Sequence, residues 1–345
     1  MNPSPPDIAA RVDAWFAACP DPATDPLPGM AEAGLLDPPP SYAAIARIKA
    51  ALVERTGLPG VSSVWGGRHL VYRHFLAAGT EAQRAAWRGK ALAVAISEPK
   101  VGAHPKLLTT RAEPVAAGIR ITGQKAWVTN GPSAEAIIVV AITAEEAGRK
   151  RYGAFIVPRG TPGLSTRDMP GFHALRPSRH CLLTLDGCVV PADAAVGDPG
   201  SAYERLALPF RDVEDAVGTF ATLGALRYAV AQLRGTPLAE QAEALGGIAG
   251  LTHVFAAGAE ALVARLDAGT LRTGDATLVG LRVLAADLLD RLRTLAALLA
   301  PETPAAIRLG AILADLDATL SIARGPRQQR QVALGEAALR LQVAS

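Results

Sequence analysis

Across residues 91–191 the chain runs through short apolar stretches separated by glycine, proline, asparagine and aspartate. Residues 91–96, 120–122, 136–143, 152–157 and 182–185 have the length and composition of strands joined by tight turns. On either side the pattern becomes helical. Any fold for this chain must therefore seat a β domain between two helical segments.

The flanks fill in that outline. Residues 8–18 predict a short helix in a proline-rich lead. Residues 41–56 carry Ile45, Ile48 and Leu52 at helical spacing behind a capping Ser41. A helix over 69–78 stops at Gly79, and Thr80 caps another over 81–84. Past Gly200 the chain reads as helices over 206–233, 238–266, 276–299, 305–322 and 328–341. Leu281, Leu284, Leu288, Leu292, Leu295 and Leu299 form one stripe, the mark of an antiparallel bundle core. The expected fold class is α+β multidomain: an N-terminal helical domain (1–89), a middle β-barrel or sandwich domain (90–200) and a C-terminal antiparallel helical bundle (201–345).

Composition narrows the function. A net charge of +3 spread over 345 residues gives neither a nucleic-acid footprint nor a basic membrane patch. The longest apolar run, 136–142, is too short to span a bilayer, and the charged, proline-rich N-terminus does not read as a signal peptide. Cys19, Cys181 and Cys188 lack metal-ligand spacing and read as reduced thiols of a cytoplasmic protein. The six histidines form no i,i+4 pair, so no metal site is expected. Arginines number 29 against 6 lysines, which reads as compositional bias rather than as an anion-binding surface.

Six motifs follow one another through the β segment. They are Ser97-Glu98-Pro99-Lys100-Val101-Gly102, then Thr122-Gly123-Gln124-Lys125-Ala126-Trp127-Val128-Thr129-Asn130, then Thr161-Pro162-Gly163. Arg176 with Ser178, Val190-Pro191 and Gly197-Asp198-Pro199-Gly200 complete the series. In this order they resemble the acyl-CoA dehydrogenase family. Met30–Leu36 resembles that family's first-domain phrase, a helix with a glycine stop, and the 79–83 turn resembles its G-T-x-x-Q. A Gly-rich loop found between these in the family is absent, so the first domain reads as trimmed.

The resemblance implies an FAD-dependent oxidoreductase that dehydrogenates an acyl-CoA or acyl-carrier thioester. Trp127 would pack on the flavin, Thr129 would bond near its reactive edge, and Ser97 would make another contact. Read from the residues alone, Trp127 and Thr129 also suit a core tryptophan beside a strand-forming threonine. The substrate turn departs from the family: Gly102 is followed by Ala103 where a serine is usual, which removes a hydrogen bond worth about 1 kcal/mol. The reaction needs a carboxylate to take a proton beside the thioester while hydride leaves the next carbon. The family's usual late glutamate is replaced by Arg324.

A branch that includes isovaleryl-CoA dehydrogenase takes its base from the first bundle helix, as D-x-E-R followed by a glycine ten residues after the Glu. Asp212, Glu214 and Gly224 match that spacing. The resemblance therefore makes Glu214 the base and places Asp212 with Gly102 and Ala103 on the substrate side. Asp215 stands where the branch has Arg; it either raises the Glu214 pKa or marks a solvated face. Arg234 and Gln241 match part of a phrase that holds FAD across subunits, and they read equally as surface polarity. The phrase lacks its Phe, and a late G-G-x-G turn has no counterpart. Alternatives of a different kind are a non-catalytic subunit or interaction protein and a flavin monooxygenase on the same fold. A homodimer or homotetramer is implied, with the leucine stripe suited to burial between subunits, and an electron-transfer acceptor is a possible partner.

Overall fold

The computed structural model describes residues 4–341, which group into two compact units. One comprises residues 4–23, 40–62 and 212–341; the other comprises 24–39 and 63–211.

In the first unit α1 (Pro5–Ala18) and α2 (Tyr42–Thr56) join the bundle helices. Ser41 accepts the Ala44 N–H at 3.0 Å and so starts α2. Ile45, Ile48 and Leu52 are buried. The helix ends at Gly57, whose φ of 70° is open to glycine and whose Cβ, if present, would lie 2.4 Å from the Tyr228 ring. The bundle proper is α5 (Leu208–Gln232), α6 (Ala242–Asp267), α7 (Ala276–Ala296), α8 (Pro304–Ser321) and α9 (Arg324–Leu341). Asp267 at the end of α6 accepts the Tyr42 and Ala43 N–H groups at 2.8 and 3.0 Å, fixing α2 to α6.

Most of the leucine stripe, Leu281, Leu288, Leu292, Leu295 and Leu299, is buried inside this single chain, where α7 packs on α6 and α8. The stripe is occupied by the bundle itself and supplies no reason for subunit contact. By length and composition α6 is apolar enough to cross a membrane, although only 33% of its most apolar window is buried in the unit. Its apolarity is spread over alanines and glycines, which a search for one unbroken run passes over. Glu260, paired with Arg47 at 2.7 Å, and Asp267 tie it to α2 instead.

The second unit holds the sheet, reached through α3 (Pro59–Phe75) and α4 (Glu81–Ala86). Thr80 and Gln83 cap α4 reciprocally. Residues 28–34 form turns, not the helix the Met30–Leu36 phrase suggests. Gly29 and Gly34 both adopt positive φ, and Met30 and Leu35 anchor the segment by burial. Seven strands follow: β1 (Leu92–Ala95), β2 (Arg111–Val115), β3 (Gly118–Thr129), β4 (Ala136–Glu146), β5 (Arg149–Pro158), β6 (Leu164–Asp168) and β7 (His180–Val190). They order as β1-β4-β2-β3-β7-β6 with β5 on β4, parallel for β1–β4 and β2–β4 and antiparallel elsewhere. Ile121, Val139, Phe155, Leu183 and Leu185 fill the core. Two strands carry no apolar signature. Of β2 only Ala112 is buried, and no residue of the edge strand β6 is, so a search for apolar alternation passes over both.

Candidate active site

The two sharpest motifs meet around a buried ion pair. Lys125 Nζ lies 3.0 Å from Glu98 Oε1 and donates also to the Ile96 carbonyl at 3.0 Å; the side chains are 0% and 3% exposed. Glu98 further accepts the Thr110 N–H at 2.9 Å, the Thr109 N–H at 2.8 Å and the Thr109 hydroxyl at 2.7 Å. Burial alone would raise the Glu98 pKa. Lys125 and the threonine donors outweigh it and hold the carboxyl at about 2. Burial pulls the Lys125 ammonium down to about 8 against the attraction of Glu98, so the pair is ionised at neutral pH. Neither residue stands out in the sequence as a site candidate. The signal was a Glu and a Lys inside strand-like motifs whose neighbours are apolar.

The pair also aligns its backbones. Ala126 N–H donates to the Ser97 carbonyl at 2.8 Å, which sets half-buried Ser97 beside the Trp127 strand. Gly123 has a φ of 151°, and a Cβ there would lie 2.5 Å from Thr110 Oγ1; the glycine lets the threonine that holds Glu98 approach. Between Lys125 and Val128 the β3–β7 register slips by one residue. This bulge decides where Trp127 points. Up to Lys125 the odd-numbered side chains of β3 face inward, and the extra residue turns Trp127 outward. Trp127 is 45% exposed with a φ of 59°, a left-handed conformation rare for a bulky side chain. Its ring packs edge-on against Phe172, with centroids 5.4 Å apart, and lies 6.2 Å from His180. Burial and then Arg176 depress the His180 pKa to about 4, so its imidazole is neutral. Thr129, half-buried, pairs with His180 across the ladder.

Asn130 ends the strand in a left-handed conformation. Its side chain donates to the Ser63 carbonyl at 2.9 Å and accepts from the buried Ser178 hydroxyl at 3.0 Å. The Ser97–Gly102 turn closes on itself through Glu98 and Gly102, which exchange backbone bonds of 2.9 and 3.1 Å. Gly102 is exposed with a φ of 59°. The Ala103 carbonyl accepts the Tyr203 hydroxyl at 2.5 Å, and Tyr152 holds the Pro105 carbonyl. Two tyrosines thus fasten the loop in which the family's serine is missing.

The sheet unit matches the acyl-CoA dehydrogenase middle domain over residues 93–188. Over 108 residues the chain is 40% identical to isovaleryl-CoA dehydrogenase of Oryza sativa, and over 108 residues 38% identical to 2-methylacyl-CoA dehydrogenase of Solanum tuberosum. Residues 93–188 are thus similar to the middle domain of the acyl-CoA dehydrogenase family. Each matched stretch covers 31% of this chain and 26% of the relative. The fold likeness extends further. Butyryl-CoA dehydrogenase of Megasphaera elsdenii matches 98% of this chain and 99% of its own at a TM-score of 0.82 and 19% identity. A glutaryl-CoA dehydrogenase of Mycobacterium smegmatis, solved with FADH2, matches 98% and 95% at 0.78 and 20%.

The remaining candidates lie in the helical unit. Glu214 is exposed on α5. Gly224, ten residues on, marks a close helix crossing: a Cβ there would lie 2.4 Å from the Ala50 carbonyl oxygen of α2. Lys49 of α2 is buried. Burial lowers its pKa to about 8 while Glu214 partly opposes the shift. Asp212 and Asp215 are committed elsewhere. Asp215 accepts from Arg282 of α7 at 2.6 Å and from Arg330 of α9 at 3.0 Å, with Arg327 at 3.4 Å. Asp212 accepts the Thr273 hydroxyl at 2.6 Å and sits 3.0 Å from Arg330 as an ion pair without hydrogen-bond alignment. Asp215 is therefore neither a solvated residue nor a bare charge pressing on Glu214. Arg234 is exposed and Gln241 half-buried in the link between α5 and α6. Among the described residues no cluster of three or more His, Cys, Asp or Glu is placed to hold a metal.

Proposed function

We propose that the chain is an FAD-dependent dehydrogenase of acyl-CoA or acyl-carrier thioesters in which Glu214 accepts the proton. The observation that carries this reading is Trp127, an exposed indole turned outward by a bulge over a fully satisfied ion pair. Such a wall fits the flat apolar ring of a flavin. Thr129, on the same face two residues on, and Ser97 would flank the ring, with Arg234 and Gln241 as further contacts. Bound there, FAD would supply the two-electron acceptor.

The protein's own part is to hold the thioester and move one proton. Gly102, with no side chain, leaves room for the thioester, while its bonds to Glu98 and the Tyr203 bond to the Ala103 carbonyl hold the turn in place. Asp212 acts on the substrate side only through the helix it fixes. Glu214 is exposed, so the desolvation that makes a carboxylate a competent base has to come with the bound thioester. Lys49 nearby stabilises the ionised form that must be present when substrate arrives.

The test is an FAD titration followed by visible absorption, with anaerobic addition of acyl-CoAs of several lengths. Binding of FAD and bleaching by a thioester is the expected result. A chain that neither binds FAD nor gains thermal stability from it rules out the reading. The ion pairs of Asp212 and Asp215, the absent serine at Ala103 and Arg324 in place of the late glutamate favour a second reading, a non-catalytic relative that binds FAD without bleaching. Exposed Ile307, Val332 and Leu339 suit a homodimer or homotetramer, measurable by light scattering. The three buried cysteines, none of them in a disulfide, suit a reducing, cytoplasmic setting.

A further inference from the structure

Two arginines flank the turn that follows the Trp127 strand, and they are treated oppositely. Arg159 is satisfied by the chain, donating to the Ala134 carbonyl at 2.8 Å and to the Pro132 carbonyl. Arg68, on α3, is only 9% exposed. Among the described residues no hydrogen bond and no ion pair reaches its guanidinium. Among the described residues the charge that acts on it is that of Glu135. That carboxylate is already engaged by the Ala91 N–H at 3.0 Å and by Lys90 Nζ at 3.2 Å.

The position of Arg68 is fixed. Its neighbour Gly67 faces the Asn130 amide, which a Cβ would meet at 3.2 Å, and that amide is bonded to Ser63 on the same helix. Burial works against the charged form of Arg68, yet a guanidinium stays protonated at any working pH and presents five N–H donors in a rigid fork. Burying such a fork without an acceptor is costly. None of its nitrogens is among the fully enclosed unpartnered atoms, so the head group keeps a narrow opening. A planar or tetrahedral oxyanion is the chemistry that satisfies this fork, through two parallel N–H···O bonds.

We propose that Arg68 is an anion-binding residue that receives a carboxylate or phosphate group of the ligand beside the Asn130 end of the Trp127 strand. The site itself stands on the geometry of Arg68; only the choice of ligand probes rests on the proposed dehydrogenase function. The oxyanion has two sources within that function, a phosphate of FAD or a carboxylate at the far end of the acyl chain.

Three arms test it with Arg68→Met and Arg68→Lys. Without ligand, Arg68→Met is expected to melt about 2–4 °C higher than wild type, because a buried unpartnered charge is gone. A fall of similar size makes Arg68 a structural residue and overturns the proposal. Inorganic phosphate, the arm independent of any flavin chemistry, should raise the melting temperature of wild type and not of Arg68→Met; equal shifts in both overturn it. In the third arm, binding is measured for FAD against riboflavin and for succinyl-CoA against butyryl-CoA. Loss of tenfold or more in Arg68→Met for FAD with riboflavin unchanged assigns the flavin phosphate. The same loss for succinyl-CoA with butyryl-CoA unchanged assigns an acyl-end carboxylate. Partial recovery in Arg68→Lys supports either assignment, and unchanged binding of every probe overturns both. Wild type that binds no FAD but still responds to phosphate through Arg68 keeps this site and removes only the dehydrogenase reading.

Discussion

The Trp127 strand and the first turns of α5 carry the two groups of residues assigned to the proposed dehydrogenation, and their charges are held in different ways. In the strand, one lysine and one glutamate are sealed from water and satisfied by five hydrogen bonds of their own neighbourhood: those of Thr109, Thr110, Ile96 and each other. On α5, two aspartates are spread over Thr273 and arginines from α7 and α9, all still touching solvent. A sealed pair fixes one geometry and tolerates no loss. A shared, partly wet network can lose a member and redistribute. The contrast says that the Trp127 strand is rigidly specified, while the charges on the first turns of α5 are held in bundle contacts.

Lys125→Met should break the comparison most severely. It leaves Glu98 buried without its counter-charge, an expected loss of about 3–5 kcal/mol in urea unfolding, with Trp127 fluorescence changing in the folded state. A loss below about 1 kcal/mol would mean that the pair is not the frame of the site. Lys49 is the opposite case, a buried lysine with no hydrogen bond or ion pair among the described residues. Its folded pKa of about 8 lies below the unfolded value, so between about pH 8 and 10.5 the unfolded chain binds more protons and stability rises with pH. The penalty is complete below pH 8. Lys49→Met should remove it, a gain on the order of 3 kcal/mol at pH 7, and should flatten the rise except for the share due to Lys125. Thermal melts at pH 7 and 9.5 measure both.

Smaller effects sharpen the helical side. Gly224→Ala places a methyl against the Ala50 carbonyl oxygen and should cost about 2 kcal/mol by forcing α2 and α5 apart, read by denaturant midpoint. Asp215→Asn should cost about 1 kcal/mol, less in 1 M salt, because its arginines keep access to water and to Asp212. A loss as large as that of Lys125→Met would erase the distinction between the two regions.

The helices and the apolar strands were legible because their signal is local. Ser41 caps α2, and the run opening at Ala136 forms β4, as their neighbours in sequence dictate. The motif letters were legible too, but not what they do. Glu98 and Lys125 are 27 residues apart, and only the folded sheet makes them partners. The outward turn of Trp127 depends on a bulge opposite β7, which no spacing within β3 encodes. Asp215 finds its arginines 67 to 115 residues away, so its sequence neighbours left its role open. Arg68 gave no signal at all, since a lone arginine on a helix is ordinarily a solvated one.

The central claim is that Glu214 of α5 takes the proton, since the other family position holds Arg324, which has no acceptor. Rapid mixing of FAD-loaded protein with an acyl-CoA, in wild type and Glu214→Gln, measures it most directly. The account predicts unchanged thioester binding with flavin reduction slower by 10²-fold or more, about 2.7 kcal/mol of barrier. Reduction of Glu214→Gln at the wild-type rate would contradict it.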